Sequence, residues 1–274
     1  MDTGTGLALL GSAQIVGKLL GPTANYIGEG IKSWAELRVN NVQRIFENGV
    51  LKLGDRLDTK GAIPPRVLKE VLDTGSFVED QVAVEYFGGV LASSRTVEGR
   101  DDRGVAWIEL IGALSTHALR THYALYMAAR SAHPLEEIPT SSADLHDLGT
   151  YLPENELLAV MGVDSDQDDQ SAIVSHVHSV LNRLDLVANF RWTDDGDIGD
   201  YFKLPKLSGE VRSVAFAPTS AGAELFLWAH GEGQKRWPAT FLSPKLDLAP
   251  FAGIPEITGA KKLDDFKADQ SDDI

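Results

Sequence analysis

The sequence predicts a mainly α-helical protein: a helical bundle, then an α+β module of winged-helix type, then a disordered acidic tail. Three observations predict it. Apolar residues in the first half recur at spacings near 3.6. Two short runs with strand character, Leu186–Trp192 and Val211–Ala217, stand in the second half between helix-like stretches. The charge is also uneven. Residues 1–135 carry 14 Lys+Arg against 15 Asp+Glu and residues 136–274 carry 11 against 25, so −14 of the net −15 lies in the second half.

The first elements follow from this periodicity. After a glycine-rich opening (Gly4, Gly6, Gly11, Gly17, Gly21), Pro22 suits the first position of a helix. From there Ile27, Ile31, Trp34, Val42, Ile45, Phe46 and Leu53 mark one apolar stripe, and Gly54 and Asp55 end it. Pro64 and Pro65 open a second helix carrying Val67, Leu68, Val71 and Leu72, stopped at Gly75 and Ser76. A third, from about Val78 to Ser93, would bury Val82, Tyr86, Phe87, Val90 and Leu91. After the charged loop Glu98–Arg103, Trp107–Leu114 and Ala118–Arg130 form two helices or one bent helix.

A loop at Pro134, Pro139, Ser141 and Ser142 suggests a boundary. The expected segments are residues 1–21 (glycine-rich), 22–135 (bundle), 136–232 (winged-helix-like) and 233–274 (Pro-rich segment and acidic tail). Short helices are expected at Ala143–Leu148 and Asn155–Met161, then an acidic turn Asp164–Asp169 introducing a helix over Ser171–Leu184. The two strand runs are joined by Asp194, Asp195, Gly196, Asp197 and Gly199, residues suited to a hairpin loop. Pro218 opens a helix with Ala221, Leu225, Phe226 and Trp228, and Ala260–Ile274 is expected to be disordered. Helix, strand, loop, strand, helix is the order of a winged-helix module.

Composition narrows the function. There are no cysteines, so disulfides and thiolate-bound metals are excluded, as fits a reducing cytoplasm. No apolar run reaches the roughly 20 residues that span a bilayer. The first charge is Asp2, unlike the cationic start of an export signal. A strongly acidic half repels phosphate backbones, which argues against nucleic acid as a partner and favours a basic protein.

No catalytic constellation emerges, and no cofactor is expected. His117 and His122 are the candidate metal ligands, but they stand five apart where a one-face pair needs four, and two helix-surface histidines is the plainer reading. His176 and His178, two apart, would point to different sides of a helix. Asp164, Asp166 and Asp168 begin like a calcium loop, but Asp169 stands where glycine is needed and Ser175 where glutamate is needed. Gly4, Gly6 and Leu9 do not make a dinucleotide fingerprint, and there is no phosphate-binding loop or nucleophile elbow. If the helix over Ser171–Leu184 read DNA, it would offer His176, His178, Asn182 and Arg183, a single arginine for phosphate contact. The N-terminal residues Leu7, Leu9, Leu10, Ile15, Val16, Leu19 and Leu20, with Lys18 among them, suit a partner or a membrane interface. Gly17 and Gly21, with Ala24 and Gly28, would let helices approach closely.

Several stretches resemble the Abi-alpha (abortive infection alpha) family. Gly21-Pro22-Thr23-Ala24 followed by Ile27-Gly28 and a helix with Trp34 is similar to its opening. The Pro64-Pro65 helix leading to Val82–Ser94 resembles its next part, with Tyr86-Phe87 where that family has a Trp-Ala pair. Trp107–Leu119 and Phe216-Ala217-Pro218-Thr219 to Phe226 resemble later segments, so the likeness covers roughly residues 18–230. It implies a phage-defence protein acting through protein or membrane contacts without catalysis, cytoplasmic or peripheral to the inner membrane, with a protein partner or a second copy. It brings no catalytic residues. The alternatives are a winged-helix DNA-binding regulator and a metal-dependent hydrolase using His117 and His122.

Overall fold

The computed structural model describes residues 29–136, 143–164 and 168–267. The chain divides into two units. One is the chain up to Ala113 with Trp228–Glu232; the other is Leu114–Leu227 with the chain from Gly233 onward. Helix predominates among the described residues, with one small antiparallel sheet. The sequence-based segments 1–21, 22–135, 136–232 and 233–274 are drawn differently from these units, whose first boundary falls between Ala113 and Leu114. The loop at Pro134–Ser142 marks a composition break, but the helix before it packs with helices and strands that come after it.

The first unit holds α1 (Glu29–Leu53), α2 (Pro65–Glu70), α3 (Gln81–Ser94) and α4 (Gly104–Ala113). The helix expected from Pro22 ends, as expected, at Leu53, and residues 22–28 lie outside the described residues. Pro64 precedes the first turn of α2, which passes into a wider π turn at Val71–Gly75. Asp80 caps α3 by accepting from the Ala83 amide. Every residue from Val82 to Ser94 is buried, so α3 has no solvent face. That explains why its apolar residues run nearly all round.

Glycine lets α1 approach α3. A Cβ on Gly49 would stand 3.2 Å from the Gly88 carbonyl, and one on Gly88 would stand 2.7 Å from Asn48 Oδ1. A buried ion pair crosses this seam: Lys52 Nζ lies 2.7 Å from Glu85, whose carboxylate also accepts from Gln81. Burial pulls the Lys52 ammonium below its usual pKa, against the opposing pull of Glu85. The segment Trp228–Glu232 packs on the same helix. Ser93 donates to the Trp228 carbonyl, and the fully buried Trp228 ring has Trp107 at 6.4 Å and the Arg103 guanidinium at 5.6 Å.

The second unit begins with α5 (Thr116–Ala132), capped by Ser115, and a short α6 (Ala143–His146). Then come β1 (Thr150–Pro153), α7 (Glu154–Met161) and α8 (Gln170–Arg183). Gly162 ends α7 in the left-handed region at φ 69, and Asp169 caps α8. β2 (Ala188–Asp194), α9 (Asp195–Phe202) and β3 (Arg212–Ala217) follow, then α10 (Ser220–Ala229) and β4 (Lys261–Lys262). The sheet order is β2-β3-β1-β4 and every pair is antiparallel. Helices α7 and α8 pack on α5.

Three expectations are corrected here. The Asp194–Gly199 linker is helix, because Asp194 accepts from the Asp197 amide as a cap and Ile198 and Phe202 share one inward face. Two further strands, β1 and β4, complete the sheet. The part of the tail over residues 260–267 is ordered: Lys261 and Lys262 pair with Tyr151 and Thr150, and Leu263 is buried. Residues 268–274 lie outside the described residues. Much of the chain after Gly233 is fastened to the core. Arg130 donates to the Phe241, Ser243 and Leu246 carbonyls, Tyr123 stacks on Phe251 at 4.5 Å, and Glu156 accepts from the Thr258 and Gly259 amides.

The tightest approach in the first unit yields a test. A Cβ on Gly89 would overlap the Ala229 carbonyl, a backbone group that cannot rotate away. Gly89→Ala gains up to about 1 kcal/mol of helix propensity, and overpacking outweighs it, for an expected net loss of about 2 kcal/mol. The measurement is the thermal midpoint by circular dichroism. An unchanged or higher midpoint would mean that the Trp228–Glu232 segment yields freely.

Candidate functional site: the strand–helix–strand face of the second unit

The helix between β2 and β3 is built as a rigid platform. The Asp195 amide donates to the Val211 carbonyl at 2.8 Å and the Gly196 amide to Gly209 at 2.9 Å, tying its first turn to the approach to β3. Gly199 has no room for a side chain, since a Cβ would overlap the Leu207 carbonyl. Lys203, left-handed at φ 58, ends the helix. Beneath it Ile198, Leu204 and Leu207 form a buried cluster with Tyr151, Ala215 and Leu263, and Phe202 and Phe266 pack against it.

The outer side of this helix is polar and aromatic. Asp197, Asp200 and Tyr201, at i, i+3 and i+4, all face solvent. Tyr201 is 54% exposed, with the Arg191 guanidinium 4.0 Å above its ring, and Val211 beside the first turn is 63% exposed. No cation occurs between Asp194 and Asp200.

Under this face the sheet carries buried polar groups. Ser213 donates to the Tyr151 hydroxyl at 2.8 Å, and that hydroxyl donates to Asp195 at 3.4 Å. Asp195 is 8% exposed, and its other carboxylate oxygen has no hydrogen-bond partner among the described residues. Burial pushes the Tyr151 phenol up, partly offset by the Ser213 bond. Glu154 accepts from the Trp192 indole at 2.6 Å and from Arg212 at 2.8 Å. These bonds join β1, the start of α7, β2, the start of α9 and β3. Ser213 is fully buried, so the arrangement can fix strands and hold a proton but offers no accessible nucleophile.

The sequence-derived candidates lie elsewhere. His122 is not a surface histidine. It is fully buried, stacks on Tyr126 at 4.6 Å and donates from Nε2 to the Gly222 carbonyl at 3.1 Å. His117 is half-buried, and among the described residues its enclosed Nδ1 has no hydrogen-bond partner. Among the described residues no three His, Asp or Glu side chains gather to hold a metal ion. His178 donates to the Phe190 carbonyl and stacks on that ring, while Asn182 turns back to the His178 carbonyl. At the acidic turn the Asp164 amide donates to Asp168 at 2.8 Å, and residues 165–167 lie outside the described residues. Leu7, Leu9, Leu10, Ile15, Val16, Leu19 and Leu20 also lie outside them.

One pairing has no sequence signal at all. His176 Nε2 lies 3.1 Å from Ser115 Oγ, across 61 positions of chain. The Ser115 oxygen already caps α5 by accepting from Ala118, and among the described residues no carboxylate orients the exposed histidine, so the pair lacks the third group of a catalytic triad. Compared with protein-family models, curated proteins and solved structures, the chain matches none.

Burial lowers the His122 pKa from 6.5 to about 3, with the Gly222 bond opposing it. The unfolded chain therefore takes up the proton first as pH falls. The stabilisation from neutral His122 is whole above about pH 6.5 and is lost progressively toward pH 3, amounting to about 2 kcal/mol by pH 5. His122→Gln keeps a donor for the carbonyl and should flatten that slope in urea titrations at pH 7 and pH 5. An equal acid loss in wild type and variant would place the titrating group elsewhere.

Proposed function

We propose that this chain is a phage-defence protein of Abi-alpha type, acting without catalysis, whose second unit is a winged-helix-like module used for protein contact. The defence role is carried by the sequence resemblance. The module reading is supported by the order α5, β1, α7, α8, β2, β3 and by the antiparallel arrangement of β1, β3 and β2 with β3 in the middle. In that reading α8 takes the place of a recognition helix and α9 the place of the wing.

The observation that favours a protein over DNA is the solvent side of α8. Ser171, Ser175, Ser179 and Asn182 are exposed there, and Arg183 at the end of the helix is its one cation. Duplex binding draws on several cations that displace counterions. The wing position is worse for phosphate, since it presents Asp197 and Asp200. Among the described residues no helix is long and apolar enough to cross a membrane. A membrane contact in this reading falls to Leu7–Leu20, lying in the interface rather than across it.

Expressed in a bacterial host, the chain should lower phage plating efficiency while infected cells fail to recover. A variant lacking residues 1–20 should keep its far-ultraviolet helix signal and lose protection. Full protection by that variant would end the membrane proposal, and no protection by the intact chain against a broad phage panel would end the defence proposal.

Purified protein should give no duplex DNA complex at physiological salt in a mobility-shift assay. A sequence-selective complex that weakens with salt would favour the DNA-binding regulator instead.

A further inference from the structure

We infer that the solvent face of α9 binds a second copy of this chain at its Lys235–Arg236–Trp237 segment. The inference rests on the protein-contact reading of α9 and needs no role in infection.

The two surfaces are complementary in charge and in residue type. The α9 face sets two carboxylates, Asp197 and Asp200, around an exposed Tyr201 that carries the Arg191 guanidinium over one side of its ring, with the exposed Val211 beside it. The other segment carries Arg236 and Trp237, the latter 37% exposed with the Arg236 guanidinium 4.7 Å above its ring, and Lys235 precedes them in the chain. Adjacent cations occur in residues 136–274 at only one other place, Lys261–Lys262. There the adjoining apolar residue Leu263 is buried, whereas Trp237 beside Arg236 is exposed. Tyrosine, tryptophan and arginine are the side chains that most often dominate interface energies, and each surface brings one of these aromatics. A guanidinium meeting carboxylates also forms the stronger, directional kind of hydrogen bond.

Both surfaces are held in shape before they meet. α9 is pinned by Gly199 against Leu207 and by its amide bonds to Val211 and Gly209. Trp237 precedes a 3₁₀ turn at Pro238–Leu242 whose Ala239, Phe241 and Leu242 are buried. Little ordering would be needed on contact, which lowers the cost of association. Because two different patches meet, the contact is head-to-tail, and repetition gives a ring or an open chain of copies.

The test is sedimentation velocity of the full chain at rising concentration, up to about 1 mM, the Kd of the weakest specific contacts. The wild type should show a concentration-dependent mass above the monomer. Asp200→Lys and Arg236→Glu should each weaken association by at least about tenfold. An equimolar mixture of the two variants should restore it, because each supplies the surface the other lacks; that restoration also rules out misfolding as the cause. A wild-type chain that stays monomeric overturns the inference, as does association that neither substitution alters. None of these readouts depends on phage protection.

Discussion

The second unit turns on one hydroxyl group. Tyr126, fully buried on α5, donates to the Leu186 carbonyl at 2.9 Å and accepts the Thr219 amide at 3.0 Å. Those two partners sit where α8 hands over to β2 and where β3 hands over to α10. Thr219 continues the network, donating from Oγ1 to the Asp185 carbonyl and accepting the Gly222 amide, and the Gly222 carbonyl receives His122. Gly222 must be glycine, since a Cβ would overlap the Tyr126 hydroxyl and the Leu186 carbonyl. Burial raises the Tyr126 phenol above its usual pKa, so it keeps the proton it donates.

The sheet register follows from that fixed point. With both ends held, Ala188 faces Ala217, and the irregularity before Arg191 absorbs the left-handed Asn189 at φ 52. From Arg191 to Asp194 the pairing is regular and delivers Asp194 to the cap position of α9. β3 is buried from Ser213 to Ala217 because strands flank both its edges and helices α7 and α9 pack on it, so its residues need not alternate. The acidic, aromatic outer face of α9 is thus set by contacts on the far side of the sheet strand that leads into it.

The long helices were legible because burial imposes a period. α3 and α5 show it within a few residues of their observed ends, α1 shows it at its C-terminal end, and the caps Asp80, Ser115 and Asp169 stand where local hydrogen bonding requires them. β2 and β3 were legible from β-branched and aromatic content. β1 was not, since Thr150–Pro153 is four residues long, ends in proline and lies between helix-like stretches. α9 was hidden because Asp and Gly ordinarily mark loops, although Asp194 as cap with Ile198 and Phe202 four apart was the available signal. The buried relay Ser213–Tyr151–Asp195 joins positions 62 and 44 apart, which no spacing rule connects. His122 misled for the opposite reason: the residue type suggests a surface, and only the Gly222 carbonyl makes its burial tolerable.

The two-residue strand Lys261–Lys262 has a consequence out of proportion to its length. It occupies the outer margin of β1, where Thr150 and Tyr151 would otherwise present backbone groups to any passing extended chain. It is kept there by contacts up to 11 positions away: the Phe251 ring on Tyr123, the Thr258 and Gly259 amides on Glu156, Leu263 against Gly149 and Phe266 against Tyr151. Both strand residues are lysines, which discourage stacking by a further strand. A chain shortened before residue 258 would keep its helices yet carry a bare, partly apolar ladder, and its failure in the cell would be one of solubility rather than of folding.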